Sequence, residues 1–277
     1  MKYVDLMGGR KPQMGNQKPQ RRGQKPHLLS SIVNNLGAET KIQYAASTKF
    51  YLLDRAAGTP WITRLAFPVH VVERVETFDY VSHHKFVSLY KYHHGYFDGV
   101  EREFRGFGMV EQLDTESFSK YSGGGLFTEP PETAGEDFYL PPVLTKTWVH
   151  TGAYIGEDKI SRHFQEEYYQ GDSAAVLLPD SALPDGLTAD ETREACRALK
   201  WRTLREEIYA LDGAAVSDHP YTVTDHTYRV RLEQPMATNL HAVFYTHESE
   251  SLAYHYERNP ADPRNGRGPR YISKWRD

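Results

Sequence analysis

Tyr90–Gly108 reads YKYHHGYFDGVEREFRGFG, and where this stretch turns decides the fold. Asp98-Gly99 is a two-residue hairpin signal, because a type I′ turn needs positive φ at both central positions. Closing there pairs Phe97 with Val100 and Tyr96 with Glu101. It then sets His94 opposite Glu103, Tyr92 opposite Arg105 and Tyr90 opposite Phe107. Alternation puts the last four of these pairs on one face, and Leu89, His93, Phe97, Val100 and Phe104 on the other. The first face is a ladder of aromatic and complementary charged pairs, each contributing about 0.2–1 kcal/mol. A two-stranded ribbon is marginal alone, so the expected hairpin over 86–110 belongs to a larger sheet.

Working outward, strand-like runs lie on both sides. TKIQYAASTKFYLL (Thr40–Leu53), FPVHVVERVETF and KFVSLYKY (Lys85–Tyr92) interleave β-branched and aromatic residues with polar ones. Further strand candidates are TVTDHTYRVRLEQ (222–234), HAVFYTHES (241–249) and SLAYHYERN (251–259). Residues 122–142 carry no periodicity and read as a surface loop. One inserted helix is expected near 188–212. Thr188 and Glu191 form a capping box, Trp201, Leu204, Ile208 and Leu211 follow at spacings of three and four, and Gly213 supplies the stop. The fold class is mainly β: antiparallel sheet and hairpins with that one helix.

Composition narrows the function. Among 277 residues, aromatics make up 13%, which favours β-structure. A net charge of −4 gives no global attraction to nucleic acid or to acidic membranes. The single cysteine, Cys196, excludes an intramolecular disulfide framework, and its place in the helix reads as buried filler. The N-terminus has no apolar core of signal-peptide length, and no apolar run approaches a membrane span. Residues 8–27 repeat Lys-Pro at a period of seven (Lys11-Pro12, Lys18-Pro19, Lys25-Pro26) with basic and no acidic residues. Lacking an aromatic to stack on a base, the repeat reads as a solvated linker rather than a nucleic-acid arm.

No catalytic, cofactor or metal residues are expected. Glu101 and Glu103 share one strand face, whereas a glycosidase acid and nucleophile must flank a bond from opposing sides. In the His83-His84 and His93-His94 pairs, adjacent side chains point to opposite faces, so each pair offers one ligand at most. No phosphate-binding loop, HExxH or GxSxG occurs.

The chain also resembles a known family. NNLGAETKIQYAASTKFYLLD, TPWITRLAFPVHVVERVETFD, YKYHHGYFDGVEREFRGFGMVEQLDTESF and YERNPADPR are similar to the B component of the insecticidal toxin complexes. LPPVLTKTWVHTGAY and DGLTADETREACRALKWRTLREEIYALDG fit the same region. The match runs from about Leu28 to Arg264, in the middle region preceding the Rhs/YD repeats, and the virulence-plasmid B proteins share part of this organisation. The resemblance implies an Rhs-type β-shell wall that, joined to a C component, encloses a toxic C-component domain until a pore-forming A component delivers it. It implies a secreted complex without a signal peptide, no membrane insertion by this segment, and no catalytic or cofactor residues to carry over.

The expected organisation is therefore a basic linker (1–27), a β region (28–121), the loop (122–142), a second β region with the helix (143–264) and an unpatterned basic tail (265–277). The tripled Lys-Pro repeat and the tail NGRGPRYISKWRD depart from the family, so both ends read as those of a fragment. The alternative function is a stand-alone all-β module binding carbohydrate or protein through its tyrosine-rich face.

Overall fold

The computed structural model describes residues 28–82, 84–116, 141–156 and 158–259. The linker, nearly all of the 122–142 loop, His83 and the tail lie outside the described residues. The strands are β1 (Ser31–Val33), β2 (Ala38–Ala46), β3 (His70–Asp79), β4 (His84–Asp98), β5 (Glu103–Glu116), β6 (Val143–Val149), β9 (Thr203–Ala210), β10 (Thr222–Gln234) and β11 (Val243–His255). They form one nine-stranded antiparallel sheet in the order β1-β2-β3-β4-β5-β6-β9-β10-β11. The chain is thus mainly β, as its alternating, aromatic-rich runs require. Between β6 and β9 it leaves the sheet through a small hairpin of β7 (Tyr154–Ile155) and β8 (Asp158–Lys159), the 3-10 helix Ile160–Glu167 and helix α2 (Ala189–Ala198).

Three expectations shift. Thr40–Leu53 is a strand only to Ala46; Ser47–Ala57 is helix α1. Gly58 is the helix stop, at φ 83 and donating its N–H to the Arg55 and Asp54 carbonyls. Phe50 then buries against the sheet, its ring 5.6 Å from that of Tyr92.

The helix expected over 188–212 ends at Ala198, and Leu204 and Ile208 lie on strand β9 instead. The spacing of three and four was coincidental; strand alternation decides. Leu204 packs into the core beside Trp148 and Phe164. Arg205, Glu207 and Tyr209 are buried too, and Glu207 is fully so. The Arg205 guanidinium bonds Glu207 at 2.6 Å and Asp225 of β10 at 2.8 and 3.0 Å, and it lies 4.7 Å from the Tyr168 ring centre. The remaining lone pairs of Glu207 accept from Tyr209 Oη and the Tyr169 N–H. Only sheet geometry, with period two, brings these groups together.

The hairpin register also differs. Residues 99–102 form a four-residue loop, Asp98 pairs with Glu103 and Phe97 with Phe104. Tyr92 faces Val110 and Tyr90 faces Gln112, not Arg105 and Phe107. The reason is Asp98 itself. Its Oδ1 accepts the N–H groups of Val100 (2.9 Å) and Glu101 (3.0 Å), which widens the turn, and Arg102 rather than Gly99 takes the left-handed position at φ 54. The register slips by one residue after Tyr96, where Gly106 sits at φ 90.

Packing on the hairpin needs two missing side chains. A Cβ at Gly95 would meet the Trp61 ring at 2.7 Å, and one at Gly108 would meet the Phe164 ring at 2.5 Å. Trp61 belongs to a core with Phe50, Val71 and Phe107; Phe164 belongs to another with Tyr96, Met109 and Trp148.

The Arg205 ladder generates a test. Removing one partner of a buried ion pair strands the others, so Arg205→Met should lower unfolding stability by about 3–5 kcal/mol. Denaturant titration measures this, and a loss well below 1 kcal/mol would mean that the ladder is solvated.

Candidate functional site

The charged residues of the hairpin converge on one place, the junction of its tip with α2. Arg105 is buried, and its Nη2 lies 2.8 Å from Asp98 Oδ2. Its Nη1 donates to the Gly152 carbonyl at 2.7 Å, and its Nε reaches Glu103 at 3.3 Å. Tyr96 Oη donates to the same Asp98 oxygen at 3.3 Å. Burial works against the Asp98 carboxylate, but its backbone donors and Arg105 outweigh that and hold it below the usual range.

Helix α2 closes the junction from the other side. The capping box that starts it is complete: Thr188 Oγ1 accepts the Glu191 N–H, and Glu191 accepts the Thr188 N–H at 3.0 Å. Its basic residues face the hairpin. Lys200, just past the helix, donates to Glu103 at 2.7 Å, and Arg197 donates to Glu103 at 3.1 Å. Arg193 and Arg197 lie 3.6 and 3.9 Å from Glu101. Glu191 and Glu194 face the β10–β11 connection. Glu191 accepts the Met236 N–H at 2.9 Å, and Glu194 accepts the Ala242 N–H at 2.7 Å and pairs with His241. Helix α2 is a bracket tying the hairpin tip to the far end of the sheet. Below it, Gly152 (φ 67) passes so close that an added Cβ would lie 2.7 Å from the Cys196 carbonyl oxygen.

These partners fix the contacts and the charge of the candidate residues. Lys200, above all, holds Glu103 below the usual carboxylate range, opposite to what a general acid requires. Gly99 has open space around it. Tyr92 donates to the Val72 carbonyl at 2.7 Å, joining β4 to β3. His94, buried and at φ 55, is a pin between three segments. Its Nδ1 accepts the Ile62 N–H, so Nε2 carries the proton and donates to Glu167 at 2.7 Å; Glu167 also accepts Trp148 Nε1. His93 pairs separately with Asp54 at 2.7 Å. Among the described residues no cluster of three His, Cys, Asp or Glu suited to a metal occurs.

Sequence reasoning missed a second buried polar centre. His150 Nε2 lies 2.8 Å from Ser181 Oγ, which also accepts the Tyr228 N–H. Asp180 beside it pairs with Lys159 at 2.8 Å and accepts from Ser161. The cavity between His150 and Cys196 is about 10 Å³, no more than one water. Ser181 is fully buried, and burial pushes the Cys196 thiol up to about 11, away from nucleophilic use. No local motif announces this centre; its members come from His150 just past β6, the 159–181 excursion and β10.

The comparisons agree with this reading. The family profile "Insecticide toxin TcdB middle/N-terminal region" matches residues 11–152, and "Insecticide toxin TcdB middle/C-terminal region" matches 194–267. Among solved structures, the crystal structure of TcdB2-TccC3-Cdc42 superimposes with a TM-score of 0.72 at 32% identity, over 86% of this chain and 11% of that one. The TcdB2-TccC3 crystal structure gives 0.70 at 32%, and a Photorhabdus luminescens Tc holotoxin pore carrying a TccC3 mutation gives 0.71 at 33%, with the same coverage. The chain thus spans about a tenth of the length of these relatives. No curated protein matches.

Two tests follow from the geometry. Gly152→Ala combines a left-handed backbone with a clash against helix backbone, and should cost about 2–4 kcal/mol, measured by chemical denaturation. His150 supplies a pH dependence. Burial depresses its pKa from 6.5 to about 4, so its contribution is complete above pH 6.5 and is lost as pH falls towards 4. The expected loss is about 3 kcal/mol across that window, and His150→Gln should flatten that part of the stability–pH curve.

Proposed function

The chain belongs to the TcdB insecticide toxin family, as a middle-region segment, and from that premise we propose that it is a wall element of the β-shell of a Tc-type toxin complex. The observation that carries the proposal is the sheet. Nine antiparallel strands share their fold with the TcdB2 relatives at a third identity. Among the described residues, β1 and β11 are the outer strands of the sheet, and β11 is thirteen residues long. An edge of this length is a template for further strands, which suits a segment of a larger closed wall.

In this role the segment helps to enclose a toxic domain of a C component, with a pore-forming A component as the second partner, and it acts outside the cell that makes it. It performs no catalysis. The paired carboxylates at the hairpin tip serve to fix the sheet's end against α2, and the tyrosine-rich faces serve packing.

A hybrid tests this: the corresponding segment of a TcdB2-type protein is replaced by residues 28–264. The expected result is co-purification with the C component and protection of its enclosed domain from added protease, as in the parent. A folded hybrid that leaves that domain digestible would overturn the wall reading and favour the stand-alone binding module.

A further inference from the structure

His94 is the one non-glycine residue of β4 whose φ is positive, at 55. A side chain of this size is held there only where its surroundings over-determine it, commonly at functional or switching positions. Against it lies a strap, residues 58–69, which leads from α1 back to β3 without regular structure. The strap is tied down on either side of Ile62. Trp61 Nε1 donates to Asp54 at 2.6 Å, Thr63 Oγ1 donates to the Gly95 carbonyl at 3.0 Å, and the Arg64 carbonyl accepts the Phe97 N–H at 3.2 Å. Ile62 itself packs against the core of Tyr96, Trp148 and Phe164, and its N–H donates to His94 Nδ1 at 3.2 Å.

The bond at Ile62 exists in one protonation state only. An amide N–H donates to an imidazole nitrogen that carries no proton, and the single proton of His94 sits on Nε2, directed at Glu167 2.7 Å away. A second proton would go on Nδ1 and set two N–H groups head to head, where His94 is 4% exposed. Carboxylates nearby favour that proton. From the 3-10 helix comes Glu167; burial works against its charge, but the bonds from His94 and Trp148 outweigh this and hold it below the usual range. From β4 itself comes His93, its ring 6.4 Å from that of His94, with its Nδ1 proton directed at Asp54 of α1 at 2.7 Å. The remaining neighbours are uncharged: Phe164 of the 3-10 helix, Gly108 of β5 and, through Glu167, the Trp148 indole of β6. We propose that His94 is a proton-operated latch: a proton taken up at Nδ1 expels the Ile62 N–H, and the strap lifts at Ile62 from the Trp148–Phe164 core. The bonds at Trp61 and Thr63 keep the lifted strap tethered.

The closed strap fits only the neutral ring and the lifted strap fits both forms, so acid drives lifting. A solvated imidazole titrates near about pH 6.5, so the lifted population rises about tenfold between pH 7.5 and 5.5. The experiment is exchange of the Ile62 amide in the whole chain, followed by NMR as protection relative to the intrinsic rate at each pH. We expect protection to fall about tenfold over that range in the natural chain and in His150→Gln, which removes the histidine of the second polar centre. In His94→Asn it should stay level. Asparagine tolerates the left-handed backbone and offers a side-chain carbonyl to the Ile62 N–H, but it takes up no proton. Imidazole nitrogen shifts give a second readout: His94 Nδ1 should be bare at pH 7.5 and gain its proton with the midpoint at which Ile62 loses protection. Level protection in the natural chain, a fall that survives in His94→Asn or vanishes in His150→Gln, a His94 Nδ1 already protonated at pH 7.5, or two separate midpoints would each overturn the latch.

Discussion

The buried Arg105 guanidinium is the constraint on which the rest of the hairpin depends. A cation taken out of water is tolerated only where its donors are nearly all used and a counter-charge is close. Asp98 supplies that charge at 2.8 Å and the Gly152 carbonyl supplies a second acceptor. Both demands reach beyond the strand. Asp98 must sit opposite Glu103 for Arg105 to lie beneath it, which forces the four-residue loop. Gly152 must pass against α2 for its carbonyl to point at Arg105, which a Cβ would prevent. Turn length, strand register and helix position all bear on this one side chain, whose Nη2 has the Asp98 charge beside it but no hydrogen bond.

Arg205 repeats the logic further along the sheet with Glu207 and Asp225 as acceptors. Buried networks of this kind add little net stability over apolar packing, but they penalise misregister heavily, because a slip leaves charges unpaired. In a sheet where many strands mix aromatic and polar residues, apolar pairing alone distinguishes poorly between neighbouring registers. Two buried arginines, one at the β4–β5 tip and one between β9 and β10, therefore fix the register at two places.

The sequence made the β class legible because period-two alternation and aromatic content report directly on half-buried strands, and β10 lies where TVTDHTYRVRLEQ placed it. The capping box was equally legible, being a local device whose donors and acceptors lie within four residues. What failed was local signal overridden from a distance. Asp98-Gly99 fits a type I′ turn until Asp98 is needed for Arg105. Trp201 to Leu211 fit a helix until Arg205 and Glu207 are needed between neighbouring strands. STKFYLL fits a strand until Phe50 finds Tyr92. The α2 junction was half visible: Glu101, Glu103 and Arg105 stood out, but Arg193, Arg197 and Lys200 lie some ninety residues on, with nothing local to link them.

At the same junction many ionisable groups gather with their charges held fixed. Catalysis needs a group whose charge is unstable enough to change, in a space where a substrate fits. Here Asp98 and Glu103 are driven the other way, towards permanent ionisation, by the cations that grip them. Glu191 and Glu194 of α2 are engaged too, by backbone N–H groups of the β10–β11 connection. With basic residues gripping the β4–β5 tip and acidic residues the β10–β11 connection, α2 ties these two parts of the sheet together. A sheet restrained in this way suits the wall role proposed above.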